Sequence, residues 1–119
     1  MKSVKVLLSG EAQEELKELN EAVNNEISKN IKSSFNQTLL RAINQKIELL
    51  KKDPEYGIHI ARNKIPLEYV KKYDVTNIWK INLSGAWRMI YTLHGNEVEI
   101  IAFILEIVDH KEYDKRFGY

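Results

Sequence analysis

Cations dominate one stretch of this 119-residue sequence. Between residues 60 and 96, Arg62, Lys64, Lys71, Lys72, Lys80 and Arg88 face only Glu68 and Asp74. A local excess of positive charge is what a phosphate-binding surface requires, because neutralised phosphates release their counterions. A second charged run follows at residues 109–116, and it holds an imidazole, His110, three residues before a phenol, Tyr113. Imidazole titrates near neutrality, so His110 is the natural candidate for moving a proton. Other chemistries lack their residues. With no cysteine there is no disulfide framework, thiolate nucleophile or cysteine-ligated zinc, and that composition fits a reducing cytosol. His59 and His94 are not spaced with His110 as metal ligands and read as solvated side chains. The acidic residues form no paired-carboxylate site, and no glycine-rich phosphate loop occurs. The expectation is a cytoplasmic protein with no metal and no cofactor.

The elements that must position these residues can be read from periodicity. The chain is long enough for one domain, residues 1–119, and no apolar run reaches the roughly 18 residues of a membrane span. The first residues lack a signal-peptide cleavage pattern and alternate as a strand over residues 3–8. Ser9 is placed as an N-cap before an acidic first turn, Glu11, Glu14 and Glu15. Ala12, Leu16, Leu19, Val23 and Ile27 then form one helical stripe, and Ile31, Phe35, Leu39, Ile43, Ile47 and Leu50 form another. Asp53-Pro54 ends the second helix, because the residue before proline is pushed out of helical geometry. Residues 55–75 read as irregular, with a turn at Tyr56-Gly57 and one helical turn opened by Pro66.

After this the period changes to two, giving strands at 77–83, 87–93 and 97–108. The last is the most apolar and belongs in the sheet interior. Trp79, Ile81 and Leu83 share one face, as do Trp87, Met89 and Tyr91. Both sets meet in one core only if Leu83 opposes Trp87, across the three-residue loop Ser84-Gly85-Ala86. That register sets Asn82 opposite Arg88, with Lys80 one step along, on the face away from the core. The expected fold class is α+β: an N-terminal strand, a helical hairpin, and a three-stranded antiparallel meander, all in one sheet packed on the helices. Trp79, Ile81, Leu83, Trp87, Met89 and Tyr91 should pack on Leu16, Leu19, Phe35, Leu39 and Ile43.

The segment Ile78-Trp79-Lys80-Ile81-Asn82-Leu83, with Trp87-Arg88-Met89-Ile90-Tyr91, resembles the "Y-K-I-K-L … Y-R-L-V-Y" hairpin of RelE/ParE-superfamily toxins. The tail Asp109-His110-Lys111-Glu112-Tyr113-Asp114-Lys115 is similar to the "H-x-E-Y-D-K" ending of the HigB branch. The order of elements matches along nearly the whole chain. The resemblance implies the toxin of a type II toxin–antitoxin pair: a ribosome-dependent, metal-independent mRNA endoribonuclease that is restrained by a cognate antitoxin. Arg88 corresponds to the family's phosphate-stabilising arginine and Lys80 to the first of its strand lysines. His110 stands as general acid or base, Tyr113 as a stacking or proton-relay residue, and Lys111 as a flanking cation. Several members carry a second lysine where this chain has Asn82, which shifts the burden to the tail. Arg62, Lys64, Lys71, Lys72 and Asn82 are the candidate RNA-binding residues. The alternative is a non-catalytic relative, either a gyrase-inhibiting toxin or a partner-binding module. The near-neutral pI of 7.9 leans toward it, and a titratable tail leans away.

Overall fold

The computed structural model describes residues 2–118. Its elements are β1 (Ser3–Leu8), α1 (Gly10–Ser28), α2 (Phe35–Lys52), β2 (Ile58–His59), α3 (Leu67–Tyr73), β3 (Trp79–Asn82), β4 (Arg88–Gly95), β5 (Glu99–Val108) and α4 (His110–Phe117). Ser9 caps α1 as expected. Its hydroxyl oxygen accepts from the Ala12 N–H at 3.1 Å, and its O–H donates to the Leu105 carbonyl, tying the helix start to β5. The second helix begins later than its apolar stripe. Ser34 caps it, and Ser34, Asn36 and Gln37 all donate to the Glu26 carboxylate. This fastens the end of α1 to the start of α2 and leaves Ile31 outside the helix.

The sheet has five strands in the order β1-β5-β4-β3-β2, with β1 parallel to β5 and the remaining pairs antiparallel. The α+β fold class holds, although the sheet is mixed and has one more strand than the sequence suggested. The addition is β2, a two-residue strand on the far side of β3, too short to leave a periodic signal. It places His59 against Trp79 with ring centroids 4.7 Å apart, so this histidine packs on an indole as well as meeting solvent. The hairpin register is the expected one: Ile81 pairs with Met89, Asn82 with Arg88, and the Leu83 N–H donates to the Trp87 carbonyl.

One face of the sheet packs on α1 and α2. Leu39, Ile43, Ile81, Met89, Tyr91 and Ile104 form its centre, with Trp79, Trp87, Leu16 and Leu19 packed around them. Phe35 is the correction to this list. It is 47% exposed, and its ring lies over Gly85 in the β3–β4 loop, where an added Cβ would be 2.5 Å from it. The opposite face carries a second apolar layer, which the sequence reading did not foresee. There α3 and α4 bring Tyr69 and Tyr113 onto Ile78, Ile90, Leu105 and Val108.

A single hydroxyl fixes the loop before β2. Tyr91 Oη donates to the Pro54 carbonyl at 2.9 Å and accepts from the Gly57 N–H at 3.0 Å. Gly57 approaches so closely that a Cβ would lie 2.7 Å from both the Lys80 carbonyl and Tyr91 Oη. Gly57→Ala should therefore destabilise the protein by about 1–3 kcal/mol, the usual cost of overpacking. In a Tyr91→Phe background the added cost should be smaller, because the Oη collision is gone while those with the Lys80 carbonyl and the Tyr91 ring carbon Cε1 remain. Chemical denaturation of the two single variants and the double variant checks this, and strictly additive costs would refute the clash.

Candidate functional site

The site is assembled on the second face of the sheet by β3, β4 and α4. Strand parity puts Lys80 and Arg88 on that face, and the chain turns back over it directly after β5. Asp109 makes the turn possible by capping α4, its carboxylate accepting from the Glu112 N–H at 2.8 Å. The helix delivers Tyr113 beneath both cations. Lys80 Nζ lies 5.0 Å from the ring centroid and Arg88 Cζ 5.4 Å. Tyr113 itself is 3% exposed and stacks on Phe117 at 4.5 Å. So little of the ring is open that it serves as a platform for the cations and not as a surface on which a base could stack.

The electrostatics of this cluster are unbalanced. Neither Lys80 nor Arg88 forms an ion pair among the described residues. Arg88 Nη1 donates to the Trp87 carbonyl at 3.2 Å, and Arg88 Nε is buried with no hydrogen-bond partner. Partial burial, and then the neighbouring Arg88 charge, lower the Lys80 ammonium below its ordinary pKa. Desolvation and like charge both disfavour a cation, so an anion bridging the two would relieve both.

The remaining candidates divide. His110, the first residue of α4, is exposed, and its Nε2 lies 3.0 Å from the Asp114 carboxylate. Arg88 pairs with Val108, two residues before His110. The Arg88 and His110 Cα atoms are therefore no more than about 13 Å apart. Lys111 is exposed on the same helix, and Asn82 is exposed directly across from Arg88. The basic loop does not join them as a patch. Arg62 and Lys64 sit exposed on a 3-10 turn and Lys71 is exposed on α3. Lys72 is paired with Glu11 of α1 and lies over the Tyr73 ring.

Sequence reasoning missed the group that holds α4 in place. Between Ile90 and Tyr91 the β4–β5 register slips: Ile90 pairs with Glu106 and Tyr91 with Ile104, leaving Leu105 as a bulge. The bulge turns Glu106 into the second layer, where it is 6% exposed. Its Oε1 accepts from Tyr69 Oη at 2.6 Å and from Arg116 Nε at 3.0 Å. Arg116 also reaches Glu112 at 3.6 Å. Burial, followed by the hydrogen bond to Glu106, pushes the Tyr69 phenol well above its usual range. The available signal was Glu106 itself, the one glutamate inside the apolar run 100–108.

Arg116→Ala should leave this carboxylate short of its cation and cost about 3 kcal/mol, the scale for breaking a buried pair. Amide exchange should rise first in residues 110–117. A Glu106→Gln, Arg116→Met double variant should recover much of the loss, since it removes both charges together. A cost below about 1 kcal/mol, or exchange spread evenly over the chain, would refute the anchoring role.

No protein-family model matches the chain, and no curated protein does. Among solved structures, a YoeB/ParE toxin from Agrobacterium tumefaciens superposes with a TM-score of 0.55. The match covers 92% of this chain and 99% of that one at 15% sequence identity. Among the described residues no helix is long and apolar enough to cross a membrane, and no cluster of His, Cys, Asp and Glu is arranged to hold a metal ion. Because the superposition spans nearly the whole of both chains, this protein has the RelE/ParE-like toxin fold.

Proposed function

We propose that the protein is the toxin of a toxin–antitoxin pair and cleaves mRNA by attack of a ribose 2′-OH on the adjacent phosphate. The observation that carries this reading is the pair of partly desolvated cations, Lys80 and Arg88, sharing the Tyr113 ring without a carboxylate partner. The attack yields a 2′,3′-cyclic phosphate and a free 5′-OH, and negative charge builds on the phosphorane oxygens on the way. Arg88 presents a rigid fork of donors to that charge, and Lys80 adds a second cation. His110 takes the 2′ proton. With Nε2 held by Asp114, its Nδ1 is the nitrogen left for transfer, while the departing 5′ oxygen takes a proton from solvent. Tyr113 holds the cations in place, and Lys111 flanks the phosphate path.

The exposed cations Arg62, Lys64 and Lys71 are suited to contact further RNA, including the ribosome's, through phosphates alone. A protein partner has a separate surface. A groove of about 190 Å³ between α1, α2 and the sheet has an apolar floor that includes Leu19, Ala22, Ile43 and Trp87, with Glu15, Glu18 and Asn36 also lining it, and suits an amphipathic segment of an antitoxin.

Induced expression with primer extension on a translated reporter mRNA tests the reading. Arg88→Ala and His110→Ala should each lower cleavage by about 10²-fold or more, the scale for losing charge stabilisation or acid–base help. His94→Ala, at the exposed end of β4, should cut as the parent does. Growth arrest without any RNA cleavage would instead favour a gyrase inhibitor or a partner-binding relative.

A further inference from the structure

A groove of about 300 Å³ opens beside the cation pair, between the loop before β2 and the end of β3. It is lined by Tyr56, Gly57, Ile58, Lys80, Ile81 and Asn82, with no acidic side chain among them. Tyr56 is 42% exposed, and Lys46 steadies it by donating to its hydroxyl at 3.0 Å and sitting 5.1 Å from its ring centroid.

The backbone at the groove edge is open. Ile60 N–H donates to the Ile78 carbonyl on one side of β3, and Leu83 N–H donates to Trp87 on the other. Antiparallel alternation then sends the peptide groups of even-numbered β3 residues toward β2. The last β2 residue on that side is Ile58, which pairs with Lys80. Asn82 is the next even position, so its peptide N–H and carbonyl project past the end of β2. Beyond it the Tyr56 N–H is engaged by the Asp53 carbonyl and the Gly57 N–H by Tyr91. Asn82 therefore brings three unlike polar groups to one edge: a peptide N–H, a peptide carbonyl and a side-chain amide.

We propose that this groove holds the nucleobase next to the phosphate bound by Lys80 and Arg88, with Tyr56 as the stacking surface and Asn82 reading the base edge. The proposal rests on the nuclease reading for its substrate and adds the sequence-selecting subsite. Base edges set donors beside acceptors, and single-stranded RNA leaves those edges free. Lys80 and Asn82 share a face two residues apart, about 6.6 Å along the strand, a step that one sugar and base can bridge. A peptide adding as a strand would find only one open residue on β3. The volume lies at the lower end of the roughly 300–1,000 Å³ range of small-molecule sites, too small for a helix.

A trinucleotide with 2′-O-methyl groups cannot be cut, so titrating it into the isotope-labelled full chain separates binding from chemistry. The expected result is resonance shifts at the Asn82 backbone and side-chain amides and at Gly57 and Ile58. Tyr56→Ala should weaken binding about tenfold, and Tyr56→Phe should restore most of it. On the translated reporter, Asn82→Ala should flatten the base preference at one position of the cut site. Shifts confined to β4 and α4, or binding unchanged in Tyr56→Ala, would overturn the groove assignment and leave the cation site standing. Groove shifts with no cleavage by the unmodified protein would instead sink the nuclease reading and keep the base subsite.

Discussion

A carboxylate placed in an apolar layer must collect partners from whatever elements surround it, because its desolvation is otherwise too costly to sustain. Glu106 collects a phenol from α3 and a guanidinium from α4, and so joins the two helices that cover the second face of the sheet. The floor of the candidate site depends on that closure. The Arg116–Glu106 contact adds to the burial of Tyr113 in holding α4 under β3 and β4, where its ring lies beneath Lys80 and Arg88. The bulge at Leu105 is the cause one level lower. An unbroken ladder would alternate Leu105 and Glu106 to opposite faces, whereas both belong to the second layer here.

This hierarchy explains which parts were legible in the residues alone. The β3–β4 hairpin could be read because both strands carry three large residues at period two, and a one-residue slip would strand a tryptophan on the wrong face. That alone placed Lys80, Asn82 and Arg88 together. The helical hairpin could be read from its stripes, except that Phe35 sits at the first turn of α2 and reaches the β3–β4 loop instead of the core. Bulges, by contrast, leave no periodic trace, so the side to which Glu106 turns was invisible. So was β2, since two residues cannot show a period. The second layer escaped because α3 and α4 are short and rich in charge, with their apolar contribution concentrated in a few aromatic rings.

The distribution of charge was legible as composition but not as geometry. Six cations between residues 60 and 96 look like one basic surface, yet the fold gives them separate duties. Lys72 goes to Glu11 and borders a cavity lined by Glu11, Glu14, Glu15 and Glu18. Arg62, Lys64 and Lys71 remain solvated, where salt screens them and a single contact is worth little. Only Lys80 and Arg88 are drawn partly out of water. A net charge of +1 therefore says nothing about anion affinity here, because the determining quantity is local desolvation without a counter-charge.

That imbalance is itself the strongest functional argument. The face of a phenol ring stabilises a neighbouring cation by about 0.5–2 kcal/mol, which is a partial substitute for a carboxylate and neutralises nothing. A structural ion pair at this position would satisfy Arg88 Nε and raise the Lys80 ammonium back toward its ordinary range, and it would also fill the site. Holding two cations over Tyr113 with no carboxylate keeps the donors fixed in place and the anion position open. Donors fixed before the charge develops need little reorganisation when it does, and that is how oriented groups lower a barrier. On the proposed nuclease reading, a bound phosphate, and more so its dianionic transition state, would recover part of the stability forgone at Lys80 and Arg88.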